Sequence, residues 1–175
     1  MSKLIELMEK TGRQTPTPLG FSTTSTRHNI TPQIALLAQL LPQNLEKNLI
    51  QYLEYGDAFL ITTDSSQDTF LDTVADTLGE HTWGIQLSEL TAGQVPTLIQ
   101  KGCDFIVFDS TTTEAAVLNT EGIGKVIELN HGLGEEVIHA TCELPIDAIL
   151  LDTTNRTLPF MISHLTDIQL IRNLT

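Results

Sequence analysis

The sequence predicts an α/β fold in which six parallel strands alternate with helices. Residues 102–110 contain an apolar run with Gly and Asp near its start and Asp and Ser at its end. This pattern is typical of a fully buried parallel strand. Residues 56–64 and 146–153 repeat this pattern. The predicted strands begin near Ile34, Ala58, Trp83, Asp104, Lys125 and Asp147. Each starts a little more than twenty residues after the previous one.

The first part of the chain is predicted to lie outside this repeat. Residues 2–10 place apolar side chains among Glu and Lys at the spacing of a short amphipathic helix, which we expect to pack on the body of the protein. Residues 11–31 lose that periodicity and are rich in Thr, Ser, Pro and Gly, which favours a loop or an arm. We therefore expect residues 1–31 to form a short helix and an arm, and residues 32–175 to form a domain of six βα units.

Within the domain, turn and capping residues mark the predicted helix boundaries. Residues 33–41 are expected to form the first strand, although their Ala and Leu content also suits a helix, and residues 45–55 the helix after it. Asp64 and the Ser65-Ser66 pair are expected to cap the next helix, and Ser110 with the three threonines after it to cap a helix through residues 115–118.

Two later helices carry further signals. Residues 91–100 contain Pro96, which indicates either a kink or the first turn of the helix. The last predicted helix reaches the end of the given sequence. One face of it carries apolar residues at helical spacing, namely Met161, Leu165, Ile168 and Ile171.

Composition argues against several classes of protein. The chain has 22 Asp and Glu against 9 Lys and Arg, a formal charge of -13, so nucleic acid and anionic membranes would repel it. It contains no apolar run near the ~18 residues of a spanning helix, and residues 1–10 are too charged for a signal peptide. Cys103 and Cys142 do not form a disulfide or zinc pattern, and we expect buried thiols. We expect a cytoplasmic protein with no membrane span and no nucleic-acid partner.

The arrangement of the strands has two alternatives. Parallel strands joined by helices with right-handed crossovers build either an open doubly wound sheet or a barrel. The Asp-apolar start occurs at the second, fourth and sixth predicted strands, while the odd strands start differently. Because alternate strands fill alternate layers of a barrel interior, this rhythm favours the barrel.

The strand starts also resemble a known superfamily. Gly56-Asp57-Ala58-Phe59-Leu60 and Gly102-Cys103-Asp104-Phe105-Ile106-Val107 are similar to the Gly-x-Asp-apolar starts common among TIM-barrel (β/α) proteins, particularly at even strands. The resemblance covers residues 34–175 and points to no specific family. The resemblance implies eight βα units, whereas only six can be counted in this sequence. The resemblance therefore implies an incomplete TIM-barrel-like fold. The absent units normally carry the phosphate-binding loops. A fold shared by many chemistries transfers no catalytic residue.

An incomplete barrel would leave sheet edges and apolar inner surface uncovered. Exposed edge strands favour association, and each apolar Å² left in water costs about 25 cal/mol. We expect a second copy of the chain or another protein to cover this surface. The arm of residues 11–31 and a longer chain are the alternatives.

Several polar residues at predicted strand ends are candidates for chemistry. Asp64, Asp109 and Asp152 leave alternate strands and are expected to converge on one face, where they would suit Mg²⁺ or Mn²⁺. Such an ion can polarise a carbonyl or stabilise an enolate. Asp109 and His131 are the candidate catalytic residues, with His131 as general base. The alternative is that each Asp caps the following helix, which explains every one of them without cooperation.

Two further residues are candidates for ligand binding. Ser110 follows Asp109 at a strand end, and Arg156 is the one cation placed just past a strand, where a loop salt bridge is its alternative role. No Lys lies at a strand end where a Schiff base would form. Three functions remain open: a non-catalytic scaffold or assembly subunit, a metal-dependent lyase or isomerase, and a small-molecule binding module. The missing units and the shortage of cations favour the first.

Overall fold

The structure, a computed structural model, describes residues 1–12, 34–45, 53–64, 67–130, 132–152 and 162–174. Its helices are α1 (Lys3–Gly12), α2 (Asp68–Leu78), α3 (Val95–Gln100), α4 (Glu135–Cys142) and α5 (Ile162–Leu174), with short 3₁₀ helices at Pro42–Asn44 and Ala115–Asn119. Its strands are β1 (Leu37–Leu40), β2 (Ala58–Thr63), β3 (Trp83–Leu87), β4 (Phe105–Asp109), β5 (Gly124–Asn130) and β6 (Ala148–Asp152). The six predicted strands are therefore confirmed.

The strands form one sheet in which neighbours in space are also neighbours in sequence. The order is β1-β2-β3-β4-β5-β6, and every adjacent pair is parallel. A doubly wound sheet reverses its strand order at a switch point, and this sheet has no reversal. The barrel-like winding predicted from the even and odd strands is confirmed over the doubly wound alternative.

One face of the sheet packs against the helices. Phe59, Ile85, Ile106 and Ile127 point to this outer face and are at most 1% exposed. They belong to one apolar core that also contains residues from two helices, namely Leu71 and Val74 of α2 and Leu98 of α3. Because these two helices share a face, the other face is left to form the inside of a half-barrel.

The inner face carries the alternate residues of each strand. Its apolar part is a second buried cluster containing Leu60, Phe105, Val107 and Val126 together with Leu4 of α1. The ring of Phe105 occupies space that neighbouring strands leave open, since a Cβ built at Gly84 would lie 2.4 Å from it. The sheet thus has a packed interior at the end where its strands begin.

The Asp residues that start the even strands bind neighbouring elements. Asp57 accepts a hydrogen bond from the backbone N–H of Leu36 at 2.8 Å, and Asp147 accepts one from the backbone N–H of Lys125 at 2.7 Å. Each carboxylate therefore joins the start of its strand to the preceding strand. This local role explains the repeated Asp without reference to barrel layers.

The third of these residues, Asp104, holds α1 at the strand beginnings. Its carboxylate accepts hydrogen bonds from Ser2 Oγ at 2.6 Å, from the Lys3 N–H at 2.9 Å and from the Leu4 N–H at 3.0 Å. The N–H groups of Lys3 and Leu4 lie in the first turn, where a helix cannot satisfy them internally, so Asp104 caps α1 from another element. The predicted packing of an N-terminal helix on the body is confirmed, and Leu4 is buried beneath it.

Two predicted caps are wrong. The N-cap of α2 is Gln67, whose side chain makes no capping bond, so Asp64 does not cap that helix, while Ser65 and Ser66 lie outside the described residues. In place of the helix expected through residues 115–118 there is a five-residue 3₁₀ helix that also lacks a side-chain cap. Val117 is buried and Leu118 packs against the core, whereas Ala115 and Ala116 are exposed, so little apolar surface supports a longer helix here.

The helix start predicted from Pro96 is confirmed, because α3 begins at Val95 and holds the proline in its first turn.

On α5, Leu165 is 59% and Ile168 is 44% exposed. No helix among the described residues has both the length and the apolarity to cross a bilayer. Most of the helix predicted at residues 45–55 and most of the predicted arm lie outside the described residues, as does Met161, so those predictions stay predictions.

Candidate functional site

Four polar side chains line up across the inner face of the half-barrel. The amide of Gln39 donates from Nε2 to Thr62 Oγ1 at 2.8 Å, and Thr62 Oγ1 donates to Gln86 Oε1 at 3.1 Å. Gln86 Nε2 in turn donates to Glu128 Oε2 at 2.7 Å. We call these four residues the polar row. Each bond points the same way along the row, so its last acceptor is the carboxylate of Glu128.

Strand geometry explains why the polar row faces inward. Side chains of a strand alternate between the two faces of a sheet. In β5 the residues on either side of Glu128, Ile127 and Leu129, belong to the outer core, so Glu128 must face the inside. Gln86 has the same relation to Ile85 and Leu87 in β3. The sequence thus interrupts each apolar strand at an inward position.

A cavity of about 370 Å³ lies against the polar row and is here called the polar cavity. Leu37 of β1 and Leu150 of β6 both line it, although four strands separate them in the sheet. In a flat sheet these edge strands would lie about 24 Å apart, too far to share such a space. The sheet therefore curls. The lining residues are Leu37, Gln39, Leu60, Thr62, Gln86, Glu128, Leu150, Leu151 and Asp152.

Negative charge concentrates at the Glu128 end of this cavity. Burial raises the pKa of Glu128, and the nearby carboxylates of Asp152 and Asp109 raise it further, while the hydrogen bond from Gln86 lowers it. A smaller cavity of about 200 Å³ beside it is lined by Thr62, Gln86 and Glu128 as well, and also by Asp109. The site is thus a polar, acidic hollow at the end of the sheet where the strands terminate.

The predicted site residues are placed as follows. Asp152 lines the polar cavity, and Asp109 lines the smaller one while accepting a hydrogen bond from the Thr111 N–H at 2.6 Å. Asp64 is exposed and accepts a hydrogen bond from Ser88 Oγ. Ser110 is exposed in the turn after β4. Two other candidates lie outside the described residues, namely His131 and Arg156.

The predicted metal site has no support from the grouping of side chains. In the described part of the chain, no three His, Cys, Asp or Glu residues are arranged to hold a metal ion. The set Asp64, Asp109 and Asp152 stays a prediction, with Mg²⁺ or Mn²⁺ as its ion. A rise in melting temperature with either ion that Asp109→Asn abolishes would support it.

Sequence reasoning missed the polar row. A charged or amide side chain inside an otherwise apolar strand was the available signal, as in Val126-Ile127-Glu128-Leu129. Burying such a residue costs free energy unless its polar groups have hydrogen-bond partners, so its presence inside a strand indicates partners or a function. Whether it faces the helices or the barrel interior follows only from the register of the strands.

Comparison with known proteins does not place the chain in a family. No protein-family model matches it, and a search of curated proteins finds no match. The fold and the polar cavity are therefore the features that bear on function.

Proposed function

We propose that this protein is a small-molecule binding module that holds its ligand in the polar cavity. The observation that carries the proposal is the one-directional chain of hydrogen bonds that ends on Glu128 inside a space of about 370 Å³. Ligand sites in proteins have volumes of about 300–1,000 Å³ and combine an apolar wall with a few converging polar groups. Leu37, Leu60 and Leu150 supply that wall.

The charge of the cavity favours a ligand with a protonated amine. Glu128 and Asp152 line it, Asp109 acts on Glu128 from the adjoining cavity, and its described lining residues contain no Lys or Arg. A carboxylate accepts hydrogen bonds and binds a cationic donor more strongly than a neutral one. We therefore expect amines to bind better than alcohols, and carboxylic acids to bind worst.

Three probes of similar size test this proposal. Propylamine, propanol and propionate are titrated into the protein and followed by NMR chemical shifts of the Gln86 side-chain amide and the Glu128 backbone amide. We expect propylamine to bind best, and Glu128→Gln to weaken its binding at least about tenfold because a charged hydrogen bond is lost. Glu80→Gln removes the same charge from an exposed turn and serves as control. Failure of all three probes to bind, or equal effects of the two variants, would contradict the proposal.

We further infer that the chain is an incomplete relative of the TIM-barrel superfamily, with six of eight units. The sequential parallel order and the curl of the sheet support this inference. This inference agrees with the position of the polar cavity, because functional sites in such barrels lie at the carboxyl ends of the strands.

Self-association is the second candidate function, as a scaffold or assembly subunit built from copies of this chain. Within the described sheet, β1 and β6 each have one strand neighbour, and apolar side chains beside β1 are exposed, with Ile34 at 71% and Leu36 at 54%. Such edges favour pairing with another chain. Sedimentation equilibrium should give a dimer that Leu36→Lys dissociates, whereas Val137→Lys, on the exposed side of α4, should not. A monomer at all concentrations would rule this out, and co-purification of a different protein would replace the second copy as partner.

A further inference from the structure

A second hollow lies inside the half-barrel, nearer to the strand beginnings. Its volume is about 200 Å³, and we call it the lower chamber. The inner face of the sheet contributes Ala58, Val126 and Ala148 to its wall, and α1 contributes Leu4 and Leu7. All its lining residues are apolar, and the complete set is Leu4, Leu7, Met8, Ala35, Leu36, Leu37, Ala58, Val126, Ala148, Ile149 and Leu150.

The lower chamber adjoins the polar cavity. Leu37 and Leu150 line both spaces, so the two spaces adjoin at these side chains. Along β5, Val126 in the chamber wall and Glu128 in the polar row are two residues apart on the same face, which corresponds to about 7 Å. A ligand bound at Glu128 can reach the lower chamber with a short chain.

The chamber is well suited to hydrocarbon. An enclosed apolar cavity of about 150 Å³ binds benzene, and the wall of the lower chamber has the same aliphatic chemistry. The floor is fixed because Asp104 holds the first turn of α1, which buries Leu4 against the sheet. Leu36 is 54% and Met8 is 43% exposed, so the chamber is open to solvent on one side, and a hydrocarbon group would displace water from its apolar wall.

We propose that the ligand of the polar cavity is a small amphipath, with an amine head at Glu128 and an unbranched hydrocarbon tail in the lower chamber. This proposal rests on the proposed function, because it assumes that the head binds in the polar cavity. It adds a measurable property, namely that affinity depends on the length of the tail. Each methylene group that enters the chamber should strengthen binding about fourfold, the value expected for one buried CH₂.

A series of primary alkylamines tests the tail. Propylamine, hexylamine, octylamine and decylamine are titrated by calorimetry into the full chain. We expect affinity to rise about fourfold for each carbon that enters the chamber, until the chamber is filled. Ala58→Leu adds bulk to the lower chamber and lines no part of the polar cavity. It should flatten the length dependence and leave propylamine binding unchanged.

Control variants separate the chamber from general effects. Ala116→Leu makes the same substitution at an exposed site and should leave the length dependence intact. Because Ala58 is buried, added bulk there can prevent folding. Ala148→Val is a smaller addition to the same chamber and takes its place in that event, with a partial flattening expected.

The outcomes distinguish the two proposals. Propylamine binding that Glu128→Gln weakens, without any gain from longer tails, would overturn the amphipath and leave the proposed function standing. A length dependence that Ala58→Leu or Ala148→Val does not change would place the tail elsewhere and also overturn it. If no amine binds, both proposals fail together.

Discussion

The attachment of α1 through Asp104 leads to a quantitative stability prediction. The carboxylate accepts bonds from Ser2 Oγ and from the backbone N–H groups of Lys3 and Leu4. Loss of a helix cap costs about 0.5–2 kcal/mol, and loss of a negative charge at a helix N-terminus costs about 0.3–1 kcal/mol. We expect Asp104→Ala to lower the free energy of unfolding by about 2 kcal/mol. In a protein of this size the melting temperature would fall by about 4–8 °C.

Calorimetry and urea unfolding measure this loss, and Asp57→Ala is the matched control. Asp57 occupies the equivalent position before β2 but accepts one side-chain hydrogen bond, from the Leu36 N–H, whose loss should cost about 1 kcal/mol. Hydrogen exchange should show that Asp104→Ala exposes the amides of Lys3 and Leu4, while Asp57→Ala leaves them protected. Equal losses in the two variants, or unchanged protection of those amides, would refute the anchoring role.

Three other predictions follow from buried groups. Gly84→Ala should lower the free energy of unfolding by about 1–3 kcal/mol, because its Cβ would lie 2.4 Å from the ring and the backbone oxygen of Phe105; an unchanged melting temperature would contradict this close contact. The pKa of Glu128 is raised in the folded protein above its unfolded value of about 4.5, because the folded protein disfavours the charged carboxylate. Glu128 therefore lowers the free energy of unfolding at pH 7, where the group is ionised in the unfolded chain. Glu128→Gln should therefore stabilise the protein at pH 7 and have little effect at pH 4, and equal effects at both would count against it. Iodoacetamide followed by mass spectrometry should label half-buried Cys142 before Cys103, because burial raises the pKa of Cys103; equal rates would argue against this burial.

The strands could be predicted because buried parallel strands leave a strong local pattern. The apolar runs within residues 56–64 and 102–110 are bounded by Gly and Asp, and both contain strands. Helix starts were harder, since a Ser or Asp near a helix can bind elsewhere. Asp64 instead accepts a hydrogen bond from Ser88, which lies in the loop after the next strand and is distant from Asp64 in sequence.

The candidate site was predictable only in outline. Asp109 and Asp152 end their strands, so sequence alone could place them at the rim. Gln39, Thr62 and Gln86 lie within strands and bond to each other across three of them. Such pairing depends on register, which tertiary packing decides.

The sequential order of the sheet also bears on how the chain folds. Each strand joins the edge made by the strand just before it, so no strand must wait for a distant part of the chain. The cost of closing loops therefore stays small at every step, and the sheet can grow in the direction of synthesis. During translation, β2 can pair with β1 as soon as both have left the ribosome, and each later strand can extend the sheet in turn.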